Sequence, residues 1–227
     1  MTKIKICGLS RSCDIEAVNR YRPDYCGFIF AEKSPRCVTA EQAAELKRLL
    51  APEITAVGVF VDAPPEAAAE LAEAGVIELI QLHGHETEAY LKRLRELTRA
   101  PVIRAFSARR PEDLERAAAS KADYILLDNG AGGSGRTFDW KLLDGCRPWG
   151  RPEASGGGEA FGREGAPELR KQLGKRCFLA GGLTPDNVEE AVRRFRPFAV
   201  DLNSGLETDG VKDPEKIRIC IRRIRNV

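Results

Sequence analysis

A rhythm of 22 residues runs through this chain. Short runs rich in β-branched and aromatic residues recur at Lys3–Ile6, Tyr25–Phe30, Thr55–Val61, Ile77–Leu82, Pro101–Phe106, Asp123–Asp128, Arg176–Ala180 and Phe198–Leu202. Their starts lie 22 to 30 residues apart, save one interval of 53. A strand, a loop, a helix and a return loop fill about that length, because parallel strands need a crossover of roughly a dozen residues or more. Helix signals occupy the intervals. Thr39-x-x-Gln42 reads as a capping box. Pro64-Pro65 opens a helix that Gly75 stops. Thr184-Pro185 and Asp213-Pro214 each set a capping side chain before a first-turn proline. Ile217, Ile221 and Ile224 share a face of the last helix. Such alternation predicts an α/β fold with a parallel sheet. Eight strands predict its closure into a single-domain (β/α)8 TIM barrel over residues 1–227. The competitor is an open doubly wound sheet, and no G-x-G-x-x-G follows the first run to support it.

The interval of 53 holds residues 147–166, with Gly156-Gly157-Gly158 inside. This stretch has too little apolar content for a core of its own. It is expected to be a flexible glycine-rich insertion between strands 6 and 7.

Composition narrows the function classes. At 43% hydrophobic and 31% charged the chain is an ordinary globular mixture, which excludes wholesale disorder. A formal net charge of +2 gives no basic excess for nucleic acid. The N-terminal residues lack a signal-peptide apolar core, and no run approaches the ~18 apolar residues of a membrane span. The seven cysteines contain no C-x-x-C pair, which argues against a disulfide framework or a zinc ribbon. A cytoplasmic protein without membrane or nucleic-acid partners is expected.

Side-chain parity then locates a site. Alternate strand residues face opposite ways. If Cys7 points into the barrel, so does Lys5, while Ile4 and Ile6 face the helices. The same reading turns Gln81, His83, Arg104, Tyr124, Asp128, Asp201 and Asn203 inward. Parallel strands buried on both faces should be nearly all apolar. These polar residues break the rule mostly at the C-terminal strand ends, where barrel enzymes keep their chemistry. Lys5, Arg104 and Asp201 sit a layer lower and are expected to pair with one another, since an unpaired buried charge is prohibitive. A purely structural charge cluster is the alternative reading for these three.

Glycine-rich turns follow the late strands: Gly132-Gly133-Ser134-Gly135, Ala180-Gly181-Gly182-Leu183 and Asn203-Ser204-Gly205. Glycine lets backbone N–H groups approach a ligand, and barrel enzymes often hold phosphate on the loops after strands seven and eight. Each turn alone could be tight-turn geometry; three in register point to a sugar phosphate. His83 and His85 are the only histidines, and their spacing is not a zinc-binding helical pair. With no metal ligands indicated, proton transfer is the chemistry to expect, and Cys7 and Asp128 are further proton carriers at strand ends.

These pieces together resemble the phosphoribosylanthranilate isomerase family. The matching segments are Lys5-Ile6-Cys7-Gly8, Ser34-Pro35-Arg36, Gly58-Val59-Phe60-Val61, Gln81-Leu82-His83-Gly84, Leu126-Leu127-Asp128, Gly132–Gly135 with Phe138-Asp139-Trp140, Ala180–Val188, and Asp201–Glu207. They run in family order across nearly the whole chain. The departure is the stretch 147–166, longer than the family pattern. The resemblance implies an Amadori rearrangement of N-(5-phosphoribosyl)anthranilate to 1-(2-carboxyphenylamino)-1-deoxyribulose 5-phosphate, the third step of tryptophan synthesis from chorismate. It implies Cys7 as general base, Asp128 as general acid and Arg36 as the holder of the anthranilate carboxylate. Phosphate would lie on Gly181, Gly182, Asn203 and Ser204, with Gln81, His83 and Asp201 also meeting substrate. Proton transfer of this kind needs no cofactor and no metal. A monomer or homodimer is expected. Two rivals remain open: the histidine-pathway isomerase, for which an aspartate rather than a cysteine would end the first strand, and a non-catalytic phosphosugar-binding barrel.

Overall fold

The computed structural model describes residues 1–128, 143 and 175–227. Eight parallel strands close into a barrel in sequential order. They are β1 (Lys3–Cys7), β2 (Tyr25–Ile29), β3 (Thr55–Phe60), β4 (Leu79–Leu82), β5 (Val102–Ser107), β6 (Tyr124–Asp128), β7 (Cys177–Leu179) and β8 (Ala199–Leu202). Lys5 pairs with Tyr25 on one side and Asp201 on the other, which closes the ring. Every run expected from the rhythm is a strand, with ends shifted by two residues or fewer. The expected insertion at 147–166 and the turn at 132–135 lie outside the described residues.

Helices α1 (Ser12–Tyr21), α2 (Ala40–Leu49), α3 (Pro65–Glu73), α4 (Glu88–Leu97) and α5 (Pro111–Ala119) cover the outside, followed by α6 (Val188–Phe195) and α7 (Pro214–Arg225). The capping box before α2 is present: the Gln42 N–H donates to Thr39 Oγ1 at 3.2 Å, and the Thr39 N–H donates to Gln42 Oε1 at 2.9 Å. Gly75 ends α3 at φ 70°. Thr184-Pro185 differs from expectation, because α6 starts at Val188. Residues 184–187 instead form a turn in which Asn187 Oδ1 accepts from the Thr184 N–H at 2.8 Å. The Asn187 amide also donates to the Gly182 carbonyl at 2.9 Å. The local bonds of this side chain secure the glycine turn rather than extend the helix.

Asp213 caps α7 as expected, accepting from the Glu215 and Lys216 N–H groups at 2.9 and 3.3 Å. Its carboxyl titrates below the ordinary carboxylate range, held there chiefly by the Thr208 hydroxyl and helped by the two backbone donors. Asp213→Ala is expected to cost about 1 kcal/mol, read as a fall of several degrees in Tm. The folded value is depressed, so the stabilisation is present above the unfolded pKa of ~3.9 and lost as pH falls through the folded value. The Tm gap between variant and parent should therefore narrow in acid.

Two apolar shells hold the barrel. The larger lies between sheet and helices and includes Ile4, Ile6, Phe28, Phe60, Phe195, Ile217, Ile221 and Ile224. The smaller fills the inside near the strand starts with Tyr25, Val57, Leu79, Ile103, Leu126, Phe178 and Ala199. Phe178 meets Tyr25 and Tyr124 edge-on, at centroid distances of 5.5 and 5.7 Å. This plug closes one end, so among the described residues the barrel interior opens at the C-terminal strand ends. Among the described residues no helix is long and apolar enough to cross a membrane.

Parity holds for Lys5, Cys7, Gln81, His83, Asp128, Asp201 and Asn203, but not for Arg104. Ile103 and Ala105 belong to the inner cluster, so Arg104 faces the helices. Its guanidinium donates to Glu88 at 2.5 Å and to the Glu86 carbonyl at 2.6 Å, and it stacks over Phe106. The expected three-way pairing is therefore a pair: Lys5 Nζ meets Asp201 Oδ2 at 2.8 Å, and Arg104 takes no part. On the outer face a long side chain reaches Glu86 and Glu88 more cheaply than it could bury a second cation inside the barrel.

Candidate active site

A cavity of about 340 Å³ opens at the C-terminal strand ends. Cys7 at the end of β1, Gln81 and His83 at the end of β4, Asp128 at the end of β6 and Asp201 in β8 all line it. So do Gly181 and Gly182 after β7, Asn203 and Ser204 after β8, and Arg36 in the loop after β2. Every site residue expected from the sequence thus meets one space.

The floor is built from charges. Lys5 is fully buried beside Asp201 and reaches toward Cys7. Burial alone would lower the Lys5 ammonium, but Asp201 and Cys7 together hold it above its ordinary range. Burial pushes the Cys7 thiol up, and the nearby Lys5 and Lys212 cations offset part of that rise. Burial also pushes the Asp201 carboxyl up against the pull of Lys5. Two buried acceptors at this level, Gln81 Oε1 and Asp201 Oδ1, have no hydrogen-bond partner among the described residues. Buried polar atoms of this kind are uncommon, and they suit a ligand that brings hydroxyl donors.

On the opposite wall, the Gln81 amide nitrogen lies 2.9 Å from His83 Nδ1. With the amide donating, Nδ1 is the acceptor and the ring proton sits on Nε2, which lies 3.5 Å from Asp128 Oδ2. His83 is thereby oriented toward Asp128. The second histidine, His85, is 96% exposed at its side chain and pairs with Asp62, away from the cavity.

The late turns close the far rim. Gly181 and Gly182 have φ values of 86° and 67°, a left-handed pair that glycine adopts without strain. Gly205 lets the two turns touch, since a Cβ there would lie 2.0 Å from the Leu183 carbonyl oxygen. The two glycine-rich turns therefore make one continuous surface.

Arg36 is not a solvated surface charge. Its Nε and Nη2 grip Glu207 Oε1 and Oε2 at 2.6 and 2.5 Å, in a two-pronged pair. Lys212 contacts the same Glu207 and donates to Asn203 Oδ1 at 2.9 Å. Neither Glu207 nor Lys212 was singled out as a site residue by sequence reasoning. Glu207 lies 171 residues from Arg36, and Lys212 sits in a two-residue strand, β10 (Val211–Lys212), paired with β9 (Glu207–Thr208). No local spacing signals either contact. Glu207 did close the Asp201–Glu207 motif, which was the available hint.

The family model described as N-(5'-phosphoribosyl)anthranilate (PRA) isomerase matches residues 4–149 and 152–223. The chain belongs to the N-(5'-phosphoribosyl)anthranilate isomerase family. A family member from Thermoanaerobacter pseudethanolicus is 38% identical over 231 residues, with all of both chains covered. One from Endomicrobium trichonymphae is 39% identical over 231 residues, again with both chains fully covered. Among solved structures, the Thermus thermophilus phosphoribosyl anthranilate isomerase superposes with a TM-score of 0.78 at 31% identity, over 99% of each chain. A phosphoribosyl anthranilate isomerase in complex with reduced 1-(o-carboxyphenylamino)-1-deoxyribulose 5-phosphate superposes with a TM-score of 0.79 at 31% identity, over all of both chains.

Proposed function

We propose that this chain catalyses the Amadori rearrangement of N-(5-phosphoribosyl)anthranilate to 1-(2-carboxyphenylamino)-1-deoxyribulose 5-phosphate, a step of tryptophan synthesis in the cytoplasm. The observation that carries the reading is the meeting of Cys7 and Asp128 in one cavity, with a cation on one rim and glycine turns on another. Asp128 protonates the ribose ring oxygen, and the C1–O bond breaks to leave an iminium. The Cys7 thiolate removes the C2 proton, the C2–H electron pair forms the C1=C2 bond, and the C=N π pair returns to nitrogen to give an enolamine. Tautomerisation delivers the C2 ketone. Both steps are proton transfers within one substrate, so the reaction balances without an added reactant.

The cavity supports the rest of the assignment. Arg36 presents a guanidinium for the aryl carboxylate, and the turns at Gly181-Gly182 and Asn203-Ser204 present backbone to the phosphate. Gln81 Oε1 and Asp201 Oδ1 are placed to accept from sugar hydroxyls. His83 orients the Asp128 carboxyl.

A side-by-side turnover assay tests the reading. Phosphoribosylanthranilate should be consumed, and the ribosyl aminoimidazole substrate of the histidine pathway should turn over far more slowly. The reverse preference would assign the chain to the rival isomerase, and binding without turnover would assign it to a sensor. Arg36→Lys is expected to raise KM for phosphoribosylanthranilate by about 10- to 100-fold, the worth of one charge-assisted hydrogen bond, with a smaller change in kcat. An unchanged KM would remove Arg36 from carboxylate binding.

A further inference from the structure

The guanidinium at the rim poses a problem of charge. Arg36 already holds a carboxylate, Glu207, through Nε and Nη2. A neutral Arg–Glu pair has little attraction for a second carboxylate, and Glu207 would repel it directly. The two Nη1 protons and the second Nη2 proton are left to receive a substrate anion.

Lys212 resolves the imbalance. Its side chain is 2% exposed, and Glu207 is 7% exposed, so both charges are shielded from water and their interaction is strong. The ammonium contacts Glu207 Oε1, the same oxygen that accepts from Arg36 Nε. Two cations therefore share one anion. Glu207 is held below the ordinary carboxylate range: burial would raise it, but Arg36 and Lys212 more than offset that. Gly8, directly after Cys7, permits the arrangement. A Cβ there would lie 2.6 Å from Arg36 Cδ and 2.8 Å from Asn203 Oδ1.

We propose that Lys212 is a positioning residue for substrate: by neutralising Glu207 it lets Arg36 stay clamped in place yet keep a net positive charge toward the aryl carboxylate. Glu207 fixes the direction of the guanidinium, and Lys212 cancels the electrostatic penalty of that fixing. The inference rests on the proposed substrate. Turnover of phosphoribosylanthranilate by the unaltered protein in the same assay separates failure of that reading from failure of this one.

The test is a mutant cycle with KM and kcat read separately for phosphoribosylanthranilate. Lys212→Met is expected to raise KM at least tenfold, with a smaller fall in kcat because the Cys7 thiol loses one nearby cation. Glu207→Gln in the same chain removes the uncompensated anion and should return KM to within threefold of the parent. Inhibition by inorganic phosphate, which reports the turns at Gly181-Gly182 and Asn203-Ser204, should be unaltered by Lys212→Met. The proposal is overturned if KM is unmoved in Lys212→Met, or if its rise persists in the double variant. It is equally overturned if the phosphate inhibition constant rises in step with KM, since Lys212 would then act through Asn203. Should Lys212→Met not fold, Lys212→Gln, which also removes the charge and can still donate to Asn203 Oδ1, carries the test. Its KM should rise at least tenfold, and an unmoved KM overturns the proposal.

Discussion

Cys7→Ala is expected to lower kcat/KM for phosphoribosylanthranilate by about 100- to 10,000-fold, the usual worth of a positioned general base. Folding should survive. Cys7 is 4% exposed and packs in a small cluster with Ile29 and Val59 at the cavity wall. Losing its sulfur removes packing worth about 1 kcal/mol, a modest shift in Tm. Cys7→Ser is the sharper control, because it keeps the shape and replaces the thiol with a hydroxyl that hardly ionises. The serine variant should be as impaired as the alanine. The pH profile carries the same signature. Acid and base are needed in opposite protonation states, so kcat/KM should be bell-shaped, with the limbs reporting the free enzyme. A base acts only when deprotonated, so the Cys7 thiol governs the rise of activity with pH, and burial, which pushes the thiol up, moves that rise toward higher pH. The rise should be absent from the residual activity of Cys7→Ala. Near-parental turnover in either variant would take Cys7 out of the mechanism.

Asp128→Asn is expected to lower kcat by a similar about 100- to 10,000-fold, because an amide matches the carboxyl in shape and has no acidic proton to give. The effect should fall on kcat more than on KM, since protonation of the ring oxygen strengthens only on the way to the transition state. His83 Nε2, 3.5 Å from Asp128 Oδ2, can still meet the amide oxygen, so the cavity geometry should persist. Full activity in Asp128→Asn with an unaltered fold would remove the carboxyl from its role.

Particular residues show what the sequence could and could not reveal. The strand order and the convergence of Cys7, Gln81, His83, Asp128, Asp201 and Asn203 were legible because both follow from periodicity: one repeat per βα unit, and one inward face per pair of strand residues. Arg104 defeated the same reading. Val102 and Ile103 are both apolar, so the run gives no alternation to fix its parity, and the polar residue was assigned to the wrong face. Thr184 was misread as a helix cap because Thr-Pro fits a cap and a turn equally well; the bonds of Asn187 decide between them. The Arg36–Glu207–Lys212 cluster was hidden for another reason. Its members come from the loop after β2 and from the hairpin after β8, brought together only when the barrel closes. Local propensity carries no trace of such a contact.

The measurement that bears most directly on the whole account is anthranilate fluorescence after mixing purified protein with freshly made phosphoribosylanthranilate. The unaltered chain should quench the substrate signal at a rate proportional to its concentration, and Cys7→Ala and Asp128→Asn should each leave little more than the protein-free rate. Loss of signal no faster with the unaltered chain than without it, or equally fast in both variants, would contradict a thiol and a carboxyl working across this cavity.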